Sequence, residues 1–323
     1  MLVYGGGVDN RPDLVRVLAR GRLLAGNAPS VLEEVRNIKR LRAVCREESI
    51  PFPATWLPGD EGGTGPYGGG HDGAGGLLKK RSLSAAGAGV SIYEGGEISP
   101  GEYVQEFLAG TPFSISFIAH KKGVCVMGVS EQITGWPPLG GSGFSWNGNI
   151  APFAAAGGEG SRLVETAVGY ARVLSRRFGL VGFNGVDMML EPGGTLKVLE
   201  INPRYSGSME LFGKCRGEEP FLLHVAAAMG ETLPDGFAEP PGFDRYRARG
   251  IVYAQRHCAA PDTVSWLSRG RRDIPWTGDV FCPGEPVCTV YASDTERSAC
   301  LETLAAEGQK VYSDLVGFQE GGT

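Results

Sequence analysis

Apolar residues recur along this chain at two spacings, every three or four residues in some stretches and every second residue in others. Asn10 and Pro12 introduce a short helix with Leu14, Val17 and Leu18 on one face. A second helix opens on the S-x-x-E capping box of Ser30 and Glu33, and carries Val31, Val35, Ile38, Leu41 and Cys45 at helical spacing. Leu163, Ala167, Ala171, Leu174 and Phe178 form one face of a helix over Ser161–Phe178. Another runs from Pro220 to Met229 and stops at Gly230. A last helix is expected between a Thr295 cap and Gly308. Between these lie β-rich runs: a strand beginning over Leu77–Lys80, then YVQEFLAG (103–110), FSISFIA (113–119), VCVMGVS (124–130), RGIVYA (249–254) and PVCTVYA (286–292). Strands and helices mix without a βαβ rhythm, so the predicted class is α+β.

Composition changes this picture in one place. Glycine and proline account for 72 of 323 residues, close to the share that marks low-complexity sequence. Much of the glycine is concentrated in residues 59–76, where ten of 18 positions are glycine, so an exposed flexible loop is predicted there, with His71 in it. Net charge is −5, which argues against binding nucleic acid through its phosphates. Seven cysteines are odd in number and form no C-x-x-C, consistent with reduced thiols in a cytoplasmic protein. No secretory leader and no apolar run of membrane-spanning length is visible, so neither export nor a membrane association is expected.

The segment GVDMMLEPGGTLKVLEINPRYSGS (185–208) holds the candidate chemistry. Two β-rich runs flank Gly193-Gly194, which signals a tight hairpin. With those glycines as the turn, Pro192 faces Thr195 and Asp187 faces Glu200, while Asn202 shares the face of Glu200. Val186, Met188, Leu199 and Ile201 then form the core face, and Met189 and Val198 accompany the carboxylates. Two carboxylates side by side and half-buried repel one another, and a hard divalent cation removes the conflict. Asp187, Glu200 and Asn202 followed by Arg204 therefore suit magnesium with phosphate; an ordinary exposed hairpin is the alternative.

The same segment resembles the metal-binding hairpin of the ATP-grasp superfamily, with an Asp on one strand and E-x-N-P-R on the next. The longer stretch LEINPRYSGSMEL resembles the branch of carbamoyl-phosphate synthetase, biotin carboxylase and related ATP-dependent carboligases. The resemblance implies an ATP-grasp fold, two α+β subdomains clasping ATP. It also implies Mg2+ (or Mn2+) held by Asp187, Glu200 and Asn202 between the phosphates, with Arg204 on the transferred phosphate or acyl-phosphate. LLKKRSLSAAGAGV resembles the lysine strand and glycine loop that close over the phosphates: Lys79 is favoured as the phosphate lysine, Lys80 is the alternative, and Gly87 and Gly89 belong to the loop. VQEFLAGTPFSISF resembles the segment that pairs with adenine, through Gln105, Glu106, Phe107 and Leu108; Pro112 stands where a ribose-binding carboxylate is expected.

The implied organisation is a remnant of a preceding domain over 1–29, an ATP-grasp domain over 30–244 with its lid at about 77–130, and a C-terminal α/β extension over 245–323. The short N-terminal portion suggests a homodimer or a partner chain supplying the rest. The implied activity is a carboxylate–amine ligase using Mg–ATP through an acyl phosphate, with small-molecule carboxylate and amine substrates that are amino-acid-like or a small cofactor. Carboxylation through carboxyphosphate and a non-catalytic nucleotide-binding subunit are the competing readings. Glu131 is a candidate base or a structural residue, and Trp136 and Trp146 belong to an acceptor-side loop or a packed loop core.

Overall fold

The computed structural model describes residues 1–59, 76–153, 160–215, 217–237 and 245–317. Most of the glycine-rich loop, with His71, lies outside the described residues. In chain order the elements are helices α1 (Pro12–Leu18), α2 (Pro29–Arg36) and α3 (Ile38–Glu47), then strands β1 (Thr55–Trp56), β2 (Leu77–Arg81), β3 (Val90–Ile92), β4 (Glu102–Glu106), β5 (Thr111–His120), β6 (Gly123–Thr134) and β7 (Trp146–Ala151). Helix α4 (Gly160–Phe178), β8 (Gly182–Leu190), β9 (Leu196–Asn202), α5 (Pro220–Ala228), β10 (Gly236–Phe237) and β11 (Tyr246–Tyr253) follow. The chain continues through β12 (Cys258–Ala259), α6 (Val264–Ser268), β13 (Val280–Phe281), β14 (Pro286–Asp294), α7 (Arg297–Asp314) and β15 (Val316–Gly317). The class is α+β, as the mixed order of elements predicts.

The chain forms two compact units, one of Met1–Val129 with Phe153–Pro240 and one of Ser130–Pro152 with Pro241–Thr323. This partition is not the one expected from sequence: residues 1–29 belong to the first unit, and 130–152 group with the C-terminal segment. In the first unit β5, β8 and β9 pair antiparallel. Phe113, Ile115 and Phe117 of β5 pack with Val186 and Met188 of β8, Val198 and Ile201 of β9, and the Ala167, Ala171 and Leu174 face of α4. That face is spaced for a helix, and α4 ends where Gly179 takes φ 65° and Leu180 N–H reaches back to the Ser175 carbonyl. A separate four-stranded antiparallel sheet has the order β1-β4-β2-β3, while β5 and β6, within the stretch expected as the lid, belong to another sheet.

In the second unit β11 pairs with β7 and β14, over a core that includes Ile150, Ala248, Val252, Val290, Leu304 and Val311. Its final helix runs through Gly308 rather than ending there. A Cβ at Gly308 would lie 2.3 Å from Leu139 Cδ2, so the glycine serves close packing and not termination. The N-cap is Glu296, while the Thr295 hydroxyl donates to Asp294.

Three N-terminal expectations are also corrected. The helix expected from Ser30 to Cys45 is two helices, because Asn37 is extended (φ −82°, ψ 98°) and its side chain accepts from Arg40 N–H to cap α3. Ser30 lies inside the first turn of α2 because Pro29 starts the helix and Ala28 is its N-cap. In α1 the inward residue is Val15, packed with Tyr4 and Leu32, whereas Val17 is exposed.

Candidate nucleotide and metal site

The β8–β9 hairpin pairs Asp187 with Glu200, as the sequence predicts, but by a different route. The turn is one residue longer than two glycines: Glu191 N–H donates to the Thr195 carbonyl and Gly194 N–H to the Glu191 carbonyl, with Gly194 at φ 82°. Glu191 therefore faces Thr195, one position away from the expected register. A bulge between Asp187 and Met188 then absorbs Leu199 and restores the register from Asp187 through Gly185. The bulge also reverses which side of β9 faces inward. Val198 is fully buried opposite Met188 and belongs to the core, and Leu199 does not, the reverse of the expectation for that pair.

Around the carboxylates the side chains form a connected set. Ser114, the cross-strand neighbour of Asp187 on β5, donates its hydroxyl to Asp187 Oδ1 at 2.6 Å. Asn202 Nδ2 donates to Asp187 Oδ2 at 2.9 Å and to Glu200 Oε1 at 3.3 Å. Arg204 Nη2 donates to Asn202 Oδ1 at 3.1 Å. Ser116, Ser206 and Ser208 form a further hydroxyl cluster, with Oγ···Oγ distances of 3.1 and 2.9 Å. This is a hard-oxygen donor set. Among the described residues no three His, Cys, Asp or Glu side chains converge. A divalent cation here would therefore rest on two carboxylates, the Asn202 amide turned to present its oxygen, and oxygens of the nucleotide. That composition suits magnesium, which keeps positions for phosphate and water.

The two candidate lysines point apart, because neighbours on a strand alternate faces. Lys80 shares its face with buried Leu78 and donates to Gln105 Oε1 at 2.8 Å. Desolvation lowers its proton affinity, and the negative charges of Glu200 and Asp187 oppose that shift. Tyr103, opposite Lys80 on β4, also lies in the field of Glu200, and its phenol is pushed above the ordinary range by burial first and by Glu200 second. Lys79 instead pairs with Glu102 at 3.8 Å and lines an open concavity of about 300 Å³ with Arg81, Gly89 and Ser91. The structure thus brings Lys80, and not the favoured Lys79, to the carboxylates. Gly87 takes φ 80° in the turn between β2 and β3, and Gly89 lies so close to Ser84 that a Cβ would meet it at 2.5 Å.

The expected adenine edge is partly occupied by the protein itself. Glu106 N–H donates to the Ala54 carbonyl and Phe107 N–H to the Gly76 carbonyl. Gln105 is buried, with Nε2 on Thr55 Oγ1. The Glu106 carboxylate accepts from Ala54 N–H and lies 3.4 Å from Lys197 Nζ, and Leu108 is buried.

Arg204 is tied down by a residue that sequence reasoning missed. Its Nε lies 3.3 Å from Asp9 Oδ2, and the same carboxylate contacts Arg36. In the second unit Glu131 pairs with Arg297 at 2.5 Å. Trp146 donates to Asn149 and stacks with Arg249, and Trp136 packs on that unit's core, so these aromatics are part of a packed loop. No helix among the described residues is long and apolar enough to cross a membrane.

The segment that carries these residues is also similar to known proteins. Residues 73–208 match the family model described as ATP-grasp domain. The chain is 27% identical over 141 residues to the carbamoyl phosphate synthase large chain of Thermoanaerobacter sp. (strain X514), a match that covers 43% of this chain and 12% of that relative. The chain therefore spans about an eighth of the curated relative it matches. Among solved structures, it resembles a biotin carboxylase from Campylobacter jejuni with a TM-score of 0.68 at 10% identity, over 97% of this chain and 74% of that one. It also resembles an L-amino acid ligase from Bacillus licheniformis with a TM-score of 0.61 at 16% identity, over 94% of this chain and 77% of that one. Residues 73–208 thus match an ATP-grasp domain, and the chain has the fold of these solved structures.

Proposed function

We propose that this chain is an ATP-dependent ligase that joins a small carboxylate to an amine, with release of ADP and phosphate. The observation that carries the reading is the desolvated Lys80 in the field of a half-buried Asp187 and its exposed cross-strand neighbour Glu200, an arrangement of charges that a metal–triphosphate would complete. The family match over residues 73–208 supports nucleotide binding, and the named activities of the relatives support ligation.

In this reading Lys80 and Arg204 hold the phosphate oxygens, and Gly87 and Gly89 allow the β2–β3 turn to approach them. Ser114 fixes the carboxylate of Asp187 before the nucleotide arrives, and the Asn202 amide, which donates to the same carboxylate in the free protein, turns its oxygen to the cation. Mg2+ (or Mn2+), when bound by Asp187, Glu200 and Asn202, supplies neutralisation of the charge on the phosphates. A substrate carboxylate oxygen bonds to the γ-phosphorus as the bond to ADP breaks, and the amine then displaces phosphate from the acyl phosphate. The chain's residues contribute chiefly by positioning and charge.

The test is ADP release by the pure protein with ATP, magnesium and a panel of small carboxylates and amines. Release that requires both a carboxylate and an amine is the expected result. Release with bicarbonate alone would make the chemistry carboxylation. Nucleotide binding without turnover under any combination would make the chain a non-catalytic subunit.

A further inference from the structure

Asp9 is 1% exposed and lies in a short 3-10 turn, Val8–Asn10, just after Gly5–Gly7. Its Oδ2 serves two guanidinium groups, Arg36 and Arg204. Its Oδ1 is buried with no hydrogen-bond partner, as are Arg36 Nε and Asn10 Oδ1 beside it. A buried carboxylate with half its acceptor capacity unused is an expensive way to build a fold. A hydrophobic contact between α1 and α2, such as the one Val15 and Leu32 already make, would stabilise the segment at lower cost. The arrangement has a consequence at the site, however. From Asp9 the contacts run to Arg204 Nε, from Arg204 Nη2 to Asn202 Oδ1, and from Asn202 Nδ2 to both Asp187 and Glu200. Arg204 Nη1 is held by the Tyr205 carbonyl, and the backbone at Gly6 walls the guanidinium, since a Cβ there would touch Nε at 3.6 Å. The same 3-10 turn reaches the turn between β2 and β3, where Asn10 Nδ2 donates to the Ser84 carbonyl at 3.3 Å.

We propose that Asp9 is a positioning residue for Arg204, fixing the plane of its guanidinium against Asn202 so that it meets a phosphate or acyl-phosphate oxygen without reorganising. The N-terminal segment is on this account part of the phosphate-handling machinery rather than a remnant. The proposal rests on the ligase reading for its effect on rate, but the held guanidinium itself is a property of the free protein.

Two measurements separate the two claims. In the nucleotide-free protein, the 15N-resolved Nε–H signal of Arg204, assigned by its loss in Arg204→Lys, is expected to exchange slowly with water, to persist in Asp9→Glu, and to move to the fast exchange of a solvated arginine in Asp9→Asn. Fast exchange of Arg204 in the unaltered protein overturns the proposal without reference to any variant or to turnover. In steady-state ADP release, Asp9→Asn is expected to lower kcat about tenfold to a hundredfold, with KM for ATP changed less than about threefold. In an Arg204→Gln background the same Asp9→Asn change is expected to cost less than about twofold, because the residue it acts through is gone. An equal loss in both backgrounds would show that Asp9 acts independently of Arg204 and would overturn the proposal. If the unaltered protein shows no turnover at all, the ligase reading fails and the exchange measurement still decides whether Asp9 holds Arg204.

Discussion

The β8–β9 hairpin and the four-stranded β1-β4-β2-β3 sheet each supply half of the candidate site, and they do so by different means. The hairpin is backed by the main core of its unit: Val186, Met188, Val198 and Ile201 are each 1% exposed or less, and the Asp187 carboxylate accepts from Ser114 and Asn202, both on packed strands. The small sheet is backed by fewer buried side chains among the described residues, chiefly Leu78, Tyr103, Val104 and Gln105. Its strands are three to five residues long apart from two-residue β1, and Ile92 is exposed. Beside Leu78, Tyr103 and Gln105 on one face lies the desolvated ammonium of Lys80, held by Gln105 and attracted by charges on the hairpin. The comparison teaches that the acidic half rests on the packing of its unit's main core, whereas the basic half joins a smaller packed face to an electrostatic complementarity that ligand, salt and pH can change.

The largest expected effect strikes the packed half. Glu200→Gln keeps shape and removes one charge of the pair, and is expected to abolish ADP formation, a loss of about a thousandfold or more, with a melting temperature close to that of the unaltered protein. Retained turnover would remove Glu200 from the site. Lys80→Met should lower kcat/KM for ATP by about a hundredfold, because a single point charge on phosphate is lost. The lowered proton affinity of Lys80 adds a pH signature. In the free protein its charge is lost at a pH below the 10.5 of an ordinary lysine, so ATP affinity should fall with rising pH before that value is reached. Lys80→Arg should lack that fall.

A smaller effect tests the support beneath the carboxylates. Ser114→Ala removes the 2.6 Å hydrogen bond to Asp187 and is expected to reduce kcat/KM about threefold to tenfold, in line with roughly 1 kcal/mol for one such bond. The smallest concerns stability alone. His224 is buried and accepts from Phe183 N–H at Nδ1, and burial lowers its proton affinity below the ordinary 6.5. The unfolded chain then binds the proton more readily, so the contribution of His224 is complete above pH 6.5 and is lost as pH falls from there toward the lowered folded value. Denaturant unfolding between pH 7 and 5 should show a decline that is reduced in His224→Gln.

The two halves also differed in how far they could be read from sequence. Asp187 and Glu200 were legible because a glycine-marked hairpin and a two-residue period fix cross-strand partners. The agreement needed two unread features that cancel, a longer turn and a bulge at Leu199, and the inward placement of Val198 shows where they did not cancel. Lys79 and Lys80 were not separable by spacing, but alternation with Leu78 carried the signal: the lysine two residues from a buried leucine shares its face. Ser114 could have been found, with Ser116, as a polar residue alternating with Phe113, Ile115 and Phe117 in a buried strand. Asp9 could not, because its contact with Arg204 spans 195 residues and no local period encodes it. Ser30 and Gly308 misled for the opposite reason. Each has a strong local meaning that Pro29 in one case and close packing against Leu139 in the other override.

The most direct test of the central claim, that Lys80 and the Asp187–Glu200 pair form one Mg–ATP site, is calorimetric titration of a non-hydrolysable ATP analogue with magnesium into the unaltered protein, Lys80→Met and Lys79→Met. The account expects affinity to drop at least about tenfold in Lys80→Met and to change less than about threefold in Lys79→Met, whose ammonium lies 3.8 Å from half-buried Glu102 in the small sheet. Equal affinity in Lys80→Met and the unaltered protein, or a larger loss in Lys79→Met, would contradict it.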